Sequence, residues 1–312
     1  MQFSVYQQSH IGGRKVNQDR MGYSFTRDAL LLLLADGMGG HQGGEIAASI
    51  AMQTVGMMFR LQARPYVKKP ERFLEEALLQ AHHDIQAHAV ANDLPELPRT
   101  TIMACLVQHN CALWAHCGDS RLYWVRRNQI LARTRDHSHI EYLIERGRAD
   151  PLERATHPDR NKLYSCLGAS SPPKIALSAR AGLQPGDVLL LCSDGLWSML
   201  PDSEIVHRLA HPGGVVAAVP EMVNMAAAIG GAGADNVTAL GIMWQGADVD
   251  AALPNVISTQ MLADDAVSST IVAGEPAPGE SDSFGADDIE KAIADAVAEI
   301  RAAIEKSSQL LK

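Results

Sequence analysis

Aromatic residues make up only 5% of this 312-residue chain. It has no Cys-x-x-Cys pair, no uninterrupted apolar run of membrane length and, over most of its length, no excess of charge of either sign. Each absence excludes something. The five cysteines (Cys105, Cys111, Cys117, Cys166 and Cys192) are odd in number and widely spaced. That excludes a thiolate zinc cluster and suits reduced, buried thiols in a cytoplasmic protein. The apolar runs 29–35 and 188–192 fall far short of the ~20 residues that span a bilayer. Residues 1–19 are polar and have no signal-peptide core. The expectation is a soluble, cytoplasmic protein without a membrane partner. Residues 1–245 hold 23 acidic and 23 basic side chains, and residues 246–312 hold 13 and 4, so the net charge of −9 belongs to the tail. A neutral body with an acidic tail argues against nucleic-acid binding.

What is present divides the chain into three textures. In residues 1–245, short apolar runs alternate with turn signals and a few helical stretches. Residues 246–285 are rich in Ala, Asp, Ser, Gly and Pro, the composition of a flexible acidic linker. Residues 286–312 turn helical again, with Ile289, Ile293, Val297, Ile300 and Ile304 three or four apart and Asp287 and Asp288 at the start. This amphipathic helix docks on the body, frays, dimerises or binds a partner. Within the body, strands are expected over residues 2–6, 21–25, 30–34, 101–107, 112–116, 122–125, 188–192 and 239–244. Helices are expected over 45–61, through Ile46, Ile50 and Met57, over 71–91, through Phe73, Ala77, Ala81 and Ile85, and over 217–229. Strands and helices cluster instead of alternating, which favours a layered α+β architecture.

One local pattern recurs: an apolar run ending in aspartate among small residues. It appears as Leu-Leu-Ala-Asp36-Gly37, Cys117-Gly118-Asp119-Ser120, Leu-Cys192-Ser193-Asp194-Gly195 and Ala234-Asp235-Asn236. A strand end is a rigid mount for a carboxylate. Carboxylates aimed at one point repel unless a cation neutralises them, and oxygen-only clusters select hard ions such as Mg²⁺ or Mn²⁺. A single Asp-Gly is ordinarily a turn. Four of them leave turns and a metal site as open alternatives on spacing alone.

In this order the segments resemble the PPM family, the metal-dependent type 2C protein serine/threonine phosphatases. The resemblance spans about residues 3–244. It includes Gly13-Arg14-Lys15-Val16-Asn17-Gln18-Asp19, Ala35-Asp36-Gly37-Met38-Gly39-Gly40-His41, Gly118-Asp119-Ser120-Arg121, Arg135-Asp136-His137-Ser138, Cys192-Ser193-Asp194-Gly195-Leu196-Trp197 and Asp235-Asn236-Val237-Thr238. The Asp-Gly-Met-Gly-Gly-His form points to the bacterial branch. The resemblance implies a phosphatase domain over 1–245, folded as a four-layer α-β-β-α sandwich with two central antiparallel sheets. It implies that Asp36, Asp194 and Asp235 are catalytic metal ligands for two ions, Mn²⁺ or Mg²⁺, with Asp36 bridging. The Gly37 carbonyl serves one ion, Asp19 acts through a water, and Asp119 joins Asp194 at a third ion. Arg14 grips the substrate phosphate, and Asn236 supports the site through hydrogen bonds. The reaction implied is in-line attack on phosphoserine or phosphothreonine in proteins by metal-activated water, without a phosphoenzyme. It reverses the action of a Ser/Thr protein kinase.

There are departures from the family pattern. Met38 stands where eukaryotic members carry a histidine general acid, and His41 follows only after the Gly-Gly pair. Gln18 replaces a common glutamate, and Arg99-Thr100-Thr101 replaces Gly-Thr-Thr, with Thr100 or Thr101 expected to begin a strand and to have no catalytic role. Residues 139–165 fall where the family has its mobile flap, and their positive character suits acidic phosphopeptides or a solvated face. His82, His83 and His88 are expected on a polar helix face. A silent scaffold of the same fold would be expected to have lost ligands, whereas Asp36, Asp194 and Asp235 are all present.

Overall fold

The computed structural model describes residues 1–38, 43–150, 153–154, 157–159 and 162–246, together with the backbone of Val267–Ser269. The expected helix over 286–312, most of the linker, and Gly39, Gly40 and His41 lie outside the described residues.

Two antiparallel sheets form the centre. The first holds β1 (Gln2–His10), β12 (Val237–Gly246), β11 (Val188–Cys192), β7 (Arg121–Arg126) and β8 (Gln129–Arg133), in that order. The second runs β10 (Ala181–Gly182), β6 (Cys111–Cys117), β5 (Ile102–Gln108), β3 (Ala29–Met38), β2 (Asp19–Phe25) and β13 (Val267–Ser269). The short β4 (Arg99–Thr100) pairs with β3, and β9 (Ala176–Leu177) with β6. Leu30, Leu32 and Leu34 of β3 face the other sheet, packed with Leu189, Leu191, Leu240 and Ile242. Leu31, Leu33 and Ala35 face α1 (Gly44–Gln62) and α2 (Pro70–Ala91). Burial on both faces explains why β3 reads as an unbroken apolar run. Against the first sheet lie α5 (Asp202–Leu209) and α6 (Gly214–Gly230), which complete the four layers. The expected sandwich is therefore the observed one.

Differences are local and have physical reasons. The helix expected over 45–61 forms, but its buried face is Ala47, Ala48, Ala51, Met52, Val55 and Phe59, while Ile46 and Met57 are exposed. Alanines let the helix approach the sheet closely, and of the large residues that carried the spacing only Ile50 packs against the core. His82 is buried, and its Nδ1 accepts the Gly168 N–H at 3.1 Å, so it is a satisfied core histidine and not part of a polar face. Burial pushes its pKa down. β8 has little apolar alternation and forms through the turn at Arg127 and Asn128, both with positive φ. The last helix begins at Gly214, three residues earlier than expected. It is the one described helix long and apolar enough to cross a membrane, an apolar stretch longer than the runs read from the sequence. Val215, Ala218, Val219, Met222, Val223 and Ala226 bury its stripe in the core instead. Within the expected linker, Val267–Ser269 adds an antiparallel edge to β2, whose outer N–H and C=O groups would otherwise be unpaired.

Candidate metal centre

Topology gathers the aspartates before any side-chain contact is considered. β2 begins at Asp19, which pairs directly with Asp36 near the end of β3. β6 ends at Cys117, opposite Ile102 at the start of β5, and the chain then passes through Gly118-Asp119 into β7. In the other sheet, Cys192 closes β11 beside Arg121 of β7 and Ala239 of β12. Asp194 follows β11 as the first residue of α4 (Asp194–Trp197), and Asp235 precedes β12. Five aspartates from distant stretches thus emerge at one end of the two sheets.

The local backbone is held tightly. A Cβ on Gly37 would sit 2.3 Å from the Gly44 carbonyl oxygen and 2.8 Å from that of Gln18, so only glycine lets β3 end between these segments. A Cβ on Gly195 would lie 2.0 Å from the Asn236 oxygen, which fixes α4 against the start of β12. The Asp36 N–H donates to Thr101 Oγ1 at 3.0 Å. The Asp36 carbonyl accepts from the Thr101 N–H at 2.8 Å and from Thr100 Oγ1 at 2.9 Å. The two threonines therefore clamp Asp36 from both sides. Sequence reasoning gave them no such part, and a Thr-Thr pair before an apolar strand carries no signal that could have revealed it. Neither threonine begins a strand as expected: Thr100 closes the two-residue β4 that Arg99 opens, and β5 starts only at Ile102.

Asp19 is 2% exposed. Its Oδ2 accepts from Ser193 Oγ at 2.8 Å, while its Oδ1 is buried with no hydrogen-bond partner. Asn236 behaves as expected. Its Oδ1 accepts the Gln18 N–H at 2.8 Å, and its Nδ2 donates to the carbonyls of Ile11 and Val16 at 2.8 and 3.2 Å. Those bonds pin the loop that carries Arg14. Arg14 Nη2 donates to Asp235 Oδ2 at 2.7 Å, with the Arg14 side chain 61% exposed. Arg14 therefore stands at the mouth of the cluster.

Burial, reinforced by mutual repulsion, dominates the electrostatics. Burial first, then the charges of Asp19, Asp194, Asp119 and Asp235, hold the Asp36 carboxyl well above the usual carboxylate range. Asp119 is raised well above that range by burial and by Asp194 and Asp136. Burial carries Asp19 to about 6 and Asp194 to about 7, with Asp235 adding to both. Asp19, Asp36, Asp194 and Asp235 bear on one another's charge, and buried carboxylates tolerate such crowding only with a proton or a cation among them. An all-oxygen donor set with one orphaned buried oxygen fits a hard divalent cation. Among the described residues, no three His, Cys, Asp or Glu side chains already stand in metal-holding geometry. Asp235 instead engages Arg14.

The protein phosphatase 2C family model matches residues 6–230. The chain belongs to this family. Members are metal-dependent protein serine/threonine phosphatases, and the chain is accordingly a metal-dependent hydrolase of phosphorylated proteins. It is 31% identical over 238 residues to a putative 2C-type protein phosphatase of Streptococcus pyogenes, covering 76% of this chain and 95% of the relative. The S. agalactiae serine/threonine phosphatase structure superposes with a TM-score of 0.70 at 27% identity, over 78% of this chain and 99% of that one. The PstP catalytic domain in complex with two manganese ions does so with a TM-score of 0.66 at 28% identity, over 77% and 97% of the two chains.

The phosphatase's flap interval departs from the simple positive stretch read in its sequence. α3 (His139–Glu145) opens it, and buried Glu141 accepts from both Arg135 and Arg154. Within the interval, Arg154 is therefore neutralised by Glu141 and Lys162 by Asp159, while Arg135 reaches in from just before it.

Proposed function

We propose that Asp36, Asp194 and Asp235 hold two divalent cations, Mn²⁺ or Mg²⁺, with Asp36 as the bridge and the Gly37 carbonyl as a further ligand. Asp19 orients the site through a water, and Asp119 with Asp194 offers a third position. The observation that carries this reading is the convergence of five aspartates on one sheet end, with Asp19 paired to Asp36 across β2 and β3 and one buried Asp19 oxygen left without a hydrogen-bond partner. Cations bound there supply a nucleophilic water at neutral pH and neutralise phosphoryl oxygens.

The rest of the chemistry belongs to the chain. Arg14 presents a planar fork to two phosphoryl oxygens of phosphoserine or phosphothreonine once it leaves Asp235. The threonine clamp keeps Asp36 from drifting under repulsion. Cys105, Cys117 and Cys192 are poor nucleophiles: burial pushes them upward, Cys117 to about 12, which keeps them protonated. This supports hydrolysis without a phosphoenzyme. The opposing activity is a Ser/Thr protein kinase, and the five unpaired cysteines suit the reducing cytoplasm.

The deciding experiment is hydrolysis of a phosphothreonine peptide with and without Mn²⁺, by wild type and by Asp36→Asn and Asp194→Asn. Metal-dependent turnover lost in both folded variants is expected. A folded wild type inactive on phosphopeptides and on a small aryl phosphate, in Mn²⁺ and in Mg²⁺, would favour a phosphoprotein-binding scaffold. Residues 286–312 we assign to self-association or to partner binding. Removing residues 272–312, which leaves the compact unit Met1–Ile271, is expected to abolish that association and spare hydrolysis. Sedimentation and the same peptide assay check the two halves of this expectation.

A further inference from the structure

Among the motif residues without a part in the chemistry are Arg121, Asp136 and Trp197. Asp136 accepts from Arg121 Nε at 2.9 Å and from Nη2 at 2.8 Å, a bidentate pair with both side chains 7% exposed. Burial at that level keeps Arg121 from reaching a substrate phosphate. Its guanidinium lies 3.6 Å from the centroid of the Trp197 ring, a stacked cation–π contact in a desolvated setting. The indole Nε1 donates to the Asp119 carbonyl at 2.9 Å. Trp197 closes the single turn of α4 that Asp194 opens. One hydrogen bond therefore ties the Asp119 loop to the helix carrying Asp194, across a gap where the Asp194 charge bears on the Asp119 carboxyl.

We propose that Trp197 is a positioning residue: its indole N–H, braced by the Arg121–Asp136 pair, holds Asp119 at a fixed separation from Asp194 and so sets the affinity of the outermost cation position. The inference rests on the reading of Asp119 and Asp194 as ligands. Without the tie, repulsion between the two carboxylates widens the gap, and a cation has to pull the loop back on binding. Ser120 Oγ, 2.7 Å from Thr101 Oγ1, holds the other side of the loop, so loss of the indole N–H loosens it without unfolding it.

The test uses the full chain. Trp197→Phe keeps an aromatic face under Arg121 and removes the N–H. Asp136→Asn keeps the shape and removes the charge that braces Arg121. Mn²⁺ binding is measured by calorimetry, and hydrolysis of a phosphothreonine peptide is followed across Mn²⁺ concentration, with thermal unfolding of the metal-free proteins as the fold check. In Trp197→Phe the weakest Mn²⁺ step is expected to weaken about fivefold to tenfold, the scale of one hydrogen bond. The metal concentration for half-maximal activity moves with it, and KM for the peptide stays level. Asp136→Asn is expected to shift the same step in the same direction. Mn²⁺ titrations of Trp197→Phe that overlay wild type overturn the proposal, as does an Asp136→Asn that loses thermal stability alone. A wild type that binds no Mn²⁺ and hydrolyses nothing overturns the ligand reading along with it.

Discussion

At Thr101, a single hydroxyl accepts the N–H of Asp36 and meets the hydroxyl of Ser120. Thr101→Val keeps the shape and leaves that backbone N–H unpaired, a cost of about 1–3 kcal/mol for a buried donor. The expected result is a kcat lower by about tenfold or more in the peptide assay, with the fold kept by circular dichroism. The aspartates make the opposite trade. Asp194 has its pKa raised to about 7 by burial and by its neighbours, so folding favours its protonated form. Its share of stability is complete below the unfolded carboxylate value near 3.9 and is lost as pH rises through about 7. Asp194→Asn is therefore expected to gain stability over metal-free wild type as pH climbs from about 4 to about 7, then to hold level. Denaturant melts in chelator across that range check the sign, and the stabler variant is the inactive one.

On α1, helical spacing identified the element, but of its large residues Ile46 and Met57 face outward and only Ile50 packs inward. Phe59 is fully buried between helix and sheet, and Phe59→Ala is expected to cost about 3–5 kcal/mol. Gly56 lies in the same helix, and a Cβ there would meet nothing within 4 Å. Gly56→Ala is expected to stabilise by about 0.5–1 kcal/mol through helix propensity, read as a shift in denaturant midpoint without loss of activity. The pair separates the two determinants of one element, packing on the inner side and backbone entropy on the outer. α2 was read correctly because its large residues, Phe73 and Ile85, are the ones buried. In α1 Ala47, Ala48 and Ala51 fill much of that role, while the reading followed the larger Ile46 and Met57.

For the whole molecule, cation binding to the folded state alone stabilises it by mass action, about 2.7 kcal/mol at a hundredfold excess over Kd. Adding Mn²⁺ to chelator-treated protein is expected to raise Tm, and Asp36→Asn is expected to blunt the rise. The sequence by itself determined the layered α+β class, the aspartates at strand ends and the family motifs, because strand ends and short motifs are written in contiguous residues. It also determined that the charge excess lies in the tail. Only the tertiary structure decided that Thr100 and Thr101 clamp Asp36, that Asp19 keeps one buried oxygen unpaired, that Arg14 meets Asp235, and that Trp197 spans Asp119 and Asp194. Those relations join residues up to 221 positions apart. They exist because two sheets pack face to face and bring their ends together, a geometry that no local pattern encodes.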